Sequence, residues 1–173
     1  MTRIRVIRLF AVVAALGLTL TVASADEEVD QFSTRMVGFS ETPPILTNGH
    51  GTFHATLQGT TLTYTENFSD LTSNVTQSHI HFAQRGVAGS VFVFLCTNLG
   101  NGPTGTPACP AGGGTVTGTI TAAQVLGVSA QNITAGDFAG LVRILLSGDA
   151  YVNVHTIKFP AGEIRGQLQL GGD

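Results

Sequence analysis

The chain has 173 residues, of which 43% are hydrophobic and only 11% charged, with 8 Lys and Arg against 11 Asp and Glu. The acidic balance, with no basic cluster beyond the N-terminal arginines, makes nucleic acid and anionic membrane surfaces poor partner candidates. With 22 glycines, 10 phenylalanines and no tryptophan, the composition is that of a turn-rich antiparallel β protein.

The chain opens with Arg3, Arg5 and Arg8, an apolar run from Leu9 to about Val22, and Ala23-Ser24-Ala25 before an acidic stretch. These three regions in that order predict a secretory signal peptide over residues 1–25 with an A-x-A cleavage site. Cleavage removes three of the 8 basic residues and none of the 11 acidic ones, so five against eleven leaves a mature net charge of −6. No cysteine stands at the cleavage point and no later apolar run is long enough to span a bilayer, so no stable membrane anchor is expected. The remaining 148 residues suffice for one domain with a single core.

A first strand is expected from Phe32 to Phe39, ended by Glu41-Thr42-Pro43-Pro44. Gly51 to Leu57 alternates, with Phe53, Ala55 and Leu57 on one face and Thr52, His54 and Thr56 on the other; Gly59-Thr60 turns it into a hairpin partner, Leu62 to Phe68. Val75 to Phe82 follows, with Ile80 and Phe82 facing the core and Gln77, His79 and His81 opposite. Ser90 to Cys96 is apolar on both faces and reads as a central strand, and Gly114 to Thr121 as another short one.

One helix is expected. Thr134 to Asp137 resembles a capping box, Phe138, Leu141, Val142 and Leu145 recur at helical spacing, and Gly148 suits a C-cap, so the helix lies on the sheet as a lid. Ala150 to Thr156 and Glu163 to Leu170 supply the last strands around the turn Phe159-Pro160-Ala161-Gly162. Val152 and Val154 oppose Tyr151, Asn153 and His155; Ile164, Leu168 and Leu170 oppose Glu163, Arg165 and Gln167. The fold class that follows is all-β, an antiparallel immunoglobulin-like β-sandwich of about eight strands with one short helix.

Cys96 and Cys109 flank a loop made almost wholly of turn-forming residues, and an exported chain meets an oxidising compartment, so the two are expected to form a disulfide. Asn67, Asn74 and Asn132 begin glycosylation sequons. His50 and His54 are read as ordinary surface residues. Neither a serine elbow nor a free cysteine supports nucleophilic catalysis, so an enzyme is the less expected outcome.

The runs GFSETPPILTNGHGTFHATL, SHIHFAQRGVAGSVFVFL and GDFAGLVRILLSGDAYVNVHTIKFPAGEIRGQLQL resemble the CHRD domain, a module named for its occurrence in chordin. The resemblance spans about residues 32–170, and YVNVHT with P-x-GEIRGQL is its most specific part. Where the family tends to have glycine after HIH, this chain has Phe82. The resemblance implies an extracellular β-rich domain and brings no settled activity with it.

His79, His81, His155, Glu163 and Arg165 all lie opposite the apolar positions of their strands and are expected to share a polar patch on the sheet's outer face. An H-x-H pair in a strand, with Cα atoms about 7 Å apart, and a third imidazole from another strand form a set that suits copper or zinc. Cu/Zn superoxide dismutase also combines an H-x-H strand with a later strand histidine. No histidine lies between His81 and His155 here, so a full dismutase site is excluded while a mononuclear site is not. A purely structural polar ladder, with Glu163 and Arg165 as a cross-strand ion pair, is the competing reading, and a contact hot spot a third. The expectation is thus an exported binding or structural module with an extracellular or envelope partner, or alternatively a mononuclear copper or zinc protein, with redox activity open to it, using His79, His81 and His155.

Overall fold

The computed structural model describes residues 29–171, and the expected signal peptide lies outside the described residues. Nine strands run β1 (Asp30–Val37), β2 (His50–Gln58), β3 (Thr61–Ser69), β4 (Val75–Phe82), β5 (Ser90–Thr97), β6 (Gly114–Ile120), β7 (Ala150–Thr156), β8 (Ile164–Gln167) and β9 (Gln169–Leu170), with one helix, α1 (Phe138–Ser147), before β7. All the pairings are antiparallel, so the all-β class with one short helix stands. The strands form one continuous sheet, β5-β4-β7-β8-β1-β2-β3-β6, with β9 also on β1. Its edges β5 and β6 approach each other, so the two opposing walls of the expected sandwich belong to a single curled, nearly closed sheet.

The core follows from the alternation. Phe53, Ala55 and Leu57 of β2, Leu62, Tyr64 and Phe68 of β3, Ile80 of β4, Val152 and Val154 of β7 and Ile164 of β8 all point inward and are buried. The Tyr64 hydroxyl donates to the Leu95 carbonyl across the interior, tying β3 to β5. Tyr64 has room because its partner across the ladder on β6 is Gly118, where a Cβ would fall 2.4 Å from the Tyr64 hydroxyl.

Several expectations shift in position. β5, expected to be central, is an edge in the hydrogen-bonded order; its free backbone groups are taken by loops, with Leu126 N donating to Phe92 O, Thr97 N to Pro107 O and Ser90 N to Gln131 Oε1. Its apolar content on both faces thus reflects cover from loops rather than from two neighbouring strands. The helix cap is Asp137, whose carboxylate accepts from Gly140 N, not the Thr134 box; Gly148 ends the helix in the left-handed region as expected. Ile144 rather than Val142 completes the buried helix face, and Leu170, beyond the break between β8 and β9, is exposed. Among the sequon asparagines, Asn74 and Asn132 are exposed, while Asn67 is half-buried in β3 and accepts from Thr115. Among the described residues no helix is long and apolar enough to cross a membrane.

Cys96 and Cys109 are joined by a disulfide that closes the turn-rich loop after β5. The same junction is held by Asn98, whose amide donates to Cys109 O and accepts from Cys109 N. Loop closure alone is worth about 3 kcal/mol. Because Asn98 keeps the loop ends together, reduction is expected to lower the denaturation midpoint by no more than that while the circular dichroism spectrum stays that of the folded protein.

Candidate metal centre

β4 carries two different surfaces. Ser78 and Ile80 face the core, and His79 and His81 face the other way, where the register sets His79 opposite Asn153 and His81 opposite Tyr151 on β7. On β7 the same alternation places Tyr151, Asn153 and His155 on that outer face, and β8 adds Arg165 opposite Asn153 and Gln167 opposite Tyr151. The expected juxtaposition of His79, His81 and His155 is therefore present, and Arg165 lies on the same face.

The face is not open to solvent. His79, His81 and His155 are 2%, 7% and 7% exposed, and Glu163 and Arg165 are equally buried. Loops after β1, β4 and β7 fold over them, drawn by donors that need acceptors. Arg165 Nη2 donates to Gln84 O and Val87 O, at 3.2 and 2.9 Å, and Nη1 reaches Thr42 Oγ1. Gln167 Nε2 donates to Ala83 O and Gly148 O. Arg165 also lies 3.3 Å above the Tyr151 ring, and Tyr151 stacks on His81 with ring centroids 4.5 Å apart and planes within 7°. The outer face has become a second interior.

Within it the three imidazoles offer ligand nitrogens that all lie within 4.8 Å of one another. His81 Nδ1 is 3.0 Å from Gly89 O and His155 Nδ1 is 3.0 Å from Pro160 O. A carbonyl only accepts, so both Nδ1 atoms carry the proton and both Nε2 atoms present a lone pair. His79 Nδ1 stands 3.1 Å from His155 Nε2. That separation suits a hydrogen bond, and it equally suits two ligands on one ion, since bonds of about 2.0 Å at near-tetrahedral angles put ligand nitrogens about 3 Å apart. Burial pushes all three pKa values down, His79 furthest with help from His155 and His81, and His81 to about 4. At neutral pH the cluster is uncharged, so a metal meets free lone pairs instead of competing with protons.

Five buried side-chain atoms among the described residues have no hydrogen-bond partner, and His79 Nε2, His81 Nε2 and Asn153 Oδ1 are three of them. Buried polar atoms are rarely left bare, so their concentration at one place makes this cluster the candidate site.

Glu163 and Arg165 do not pair. The Glu163 carboxylate accepts from Thr47 Oγ1, Thr72 N, Thr72 Oγ1 and Thr156 Oγ1, all within 2.9 Å, and so ties two loops to β7 without any cation. Burial alone would raise its pKa, but these donors together hold it below the ordinary carboxylate value. The ion-pair expectation fails because each side chain is held by hydrogen bonds to neutral groups of its own. His50 and His54 are exposed, as expected.

Sequence reasoning missed Glu41, Phe94 and Glu66. Glu41 is buried and accepts from Asn153 Nδ2 at 2.8 Å, yet it sits in an irregular loop that no periodicity assigns to a face. Phe94 lies edge-on to His79. Glu66 was legible, because Leu62, Tyr64, Glu66 and Phe68 alternate onto the core face, and it is fully buried directly behind the histidine strand. Burial raises its pKa from 4.5 to about 8. Ser78 has one proton for two acceptors, Glu66 Oε1 at 2.6 Å and Asn153 O at 3.2 Å; a protonated Glu66 resolves this by donating to Ser78 Oγ itself.

The chain matches the CHRD domain over residues 32–168, which contain the three histidines, Asn153 and Arg165. It belongs to the CHRD domain family. No curated protein and no solved structure matches it.

Two outcomes follow. An acid with a raised folded pKa contributes stability in full below its unfolded value and loses it as pH rises through the folded one. Wild-type stability should therefore fall relative to Glu66→Gln between about pH 4.5 and 8, read from denaturant midpoints of both proteins across that range. Glu163→Gln replaces an acceptor oxygen with a donor among four donors and should cost on the order of 3 kcal/mol, measured by chemical denaturation at neutral pH.

Proposed function

We propose that this CHRD-domain protein acts outside the cytoplasm and holds one copper or zinc ion between His79, His81 and His155. The observation that carries the reading is the convergence of three neutral, buried imidazoles within 4.8 Å, two of them oriented by backbone carbonyls that turn the Nε2 lone pair toward the cluster. Metal-binding histidines are oriented this way, with the second ring nitrogen donating to a carbonyl or carboxylate. Imidazole suits copper and zinc alike. Export is supported by the N-terminal charge and hydropathy pattern, and the Cys96–Cys109 disulfide suits an oxidising compartment.

A second reading, an extracellular or envelope binding and structural module whose polar face serves only as internal support, is favoured by Glu163 and Arg165. Their hydrogen bonds are satisfied within the protein and hold loops in place without any ligand. Burial of the histidines weighs against their being a contact surface for a partner.

Metal analysis of protein purified without chelator separates the two readings. The metal reading expects one Cu or Zn per chain, and a thermal midpoint that rises with added metal, by about 2.7 kcal/mol of linkage at a free concentration a hundred times Kd. His79→Ala, His81→Ala and His155→Ala should each fold less stably, because a buried ring is lost, and show no such rise. Wild-type protein that neither retains nor takes up either metal would leave the structural module standing.

A further inference from the structure

We propose that Asn153 Oδ1 is the fourth donor of this site, and that it makes the site selective for a divalent ion, Cu(II) or Zn(II), over Cu(I). The inference rests on the three-histidine reading above and names what completes it.

Asn153 occupies the middle of the cluster. It is His79's cross-strand partner, lies two residues before His155 on the same face of β7, and sits close enough to His81 to favour that ring's protonated form. In the neutral cluster its Oδ1 has no donor and His81 Nε2 no partner. The side chain is 2% exposed. Its orientation is set from outside the cluster, since Nδ2 donates to Glu41 Oε1 at 2.8 Å and the opposite end of the amide, Oδ1, has no partner. A buried amide oxygen without a donor costs free energy unless something electropositive faces it. The histidines meet none of that need, because no imidazole N–H forms a hydrogen bond to it.

The chain is shaped to permit this contact. Gly162, at φ +129°, passes so close that a Cβ would lie 2.0 Å from Asn153 Nδ2 and 2.6 Å from Glu41 Oε1. Any side chain at position 162 would break the Glu41–Asn153 bond and release the amide. Glu41 is thus a positioning residue, and Asn153 the candidate ligand.

Three imidazoles and one amide oxygen form an N3O set. Oxygen donors suit the harder divalent ions, whereas Cu(I) prefers thiolate, thioether and imidazole and gains little from an amide. The fourth donor should therefore matter for Cu(II) and Zn(II) and not for Cu(I).

The test titrates metal-stripped wild type, Asn153→Ala, the double variant Asn153→Asp with Glu41→Gln, and Glu41→Ala with Zn(II), Cu(II) and Cu(I) against competing chelators, with Cu(II) electron paramagnetic resonance on each. Asn153→Ala should lose about 10- to 100-fold in affinity for the divalent ions, the scale seen when a supporting group is removed from a metal site. Its Cu(I) affinity should stay nearly unchanged and its Cu(II) spectrum should shift. Asn153→Asp, made together with Glu41→Gln so that an amide donor still holds the carboxylate in place, keeps an oxygen there and adds charge; it should bind the divalent ions more tightly than wild type, and it carries the test if the alanine variant does not fold. Glu41→Ala should move in the same direction as Asn153→Ala. Wild-type binding with unchanged divalent affinity and spectrum in Asn153→Ala or the double variant would overturn the assignment of Asn153 and leave the three histidines as the site. No binding by wild type would overturn both.

Discussion

Arg165 spreads a buried guanidinium over Tyr151 and donates to the carbonyls of Gln84 and Val87, and the roof over the three histidines depends on those bonds. A guanidinium has donors and no acceptor, so once it is removed from water it must find carbonyls, and loop backbone has them unpaired. Gln167 does the same for Ala83 and Gly148. The loop after β4 is thereby held down at several points, which brings Gly89 O onto His81 Nδ1 and Gly89 N onto the Tyr151 hydroxyl. Desolvation of the histidines, their neutral state and the tautomer of His81 follow from one arrangement, in which side chains of β8 pin a loop that closes over β4.

A strand ordinarily has a dry face and a wet one, and the second face is where function is sought. β4 has two dry faces of different chemistry. Inward, Ser78 joins a neutral Glu66 to the carbonyl of Asn153; outward, His79 and His81 meet Asn153's own side chain and His155. Asn153 is thus gripped on its backbone from the core side and on its amide from the loop side by Glu41. The residue at the centre of the cluster has little freedom left, which is what a site with fixed geometry requires of the scaffold behind it.

The strand alternation made much of this legible. It placed His79, His81 and His155 on one face, with Tyr151, Asn153 and Arg165 beside them, because side-chain direction in a strand depends only on parity. Parity says which face a residue takes and nothing of what covers that face. By parity alone the outer face is surface, whereas a buried arginine and four hydrogen bonds from threonines to Glu163 make it an interior. The cover comes from loops at 38–48, 83–89 and 157–163, whose paths are set by hydrogen bonds over long sequence separations, such as Arg165 to Val87 and Glu163 to Thr72. Glu41 belongs to that part. The same limit explains β5: an apolar strand is read as flanked by strands, but loops and the curl of the sheet cover it as well.

The order of construction bears on what the site is for. Every contact that orients the imidazoles, Gly89 O to His81, Pro160 O to His155 and Phe94 against His79, is made by the protein's own groups, so the scaffold itself fixes the ring orientations. Unpartnered nitrogens buried in such a scaffold carry a cost that strands and loops elsewhere offset. A purely structural ladder has no use for that cost, since apolar side chains or hydroxyls would fill the same space with fewer unpartnered atoms. Glu163 on the same sheet shows what a structural polar residue looks like when it is complete: four donors around one carboxylate. The contrast between that saturated carboxylate and the bare nitrogens of His79 and His81 is the observation on which the proposed site rests.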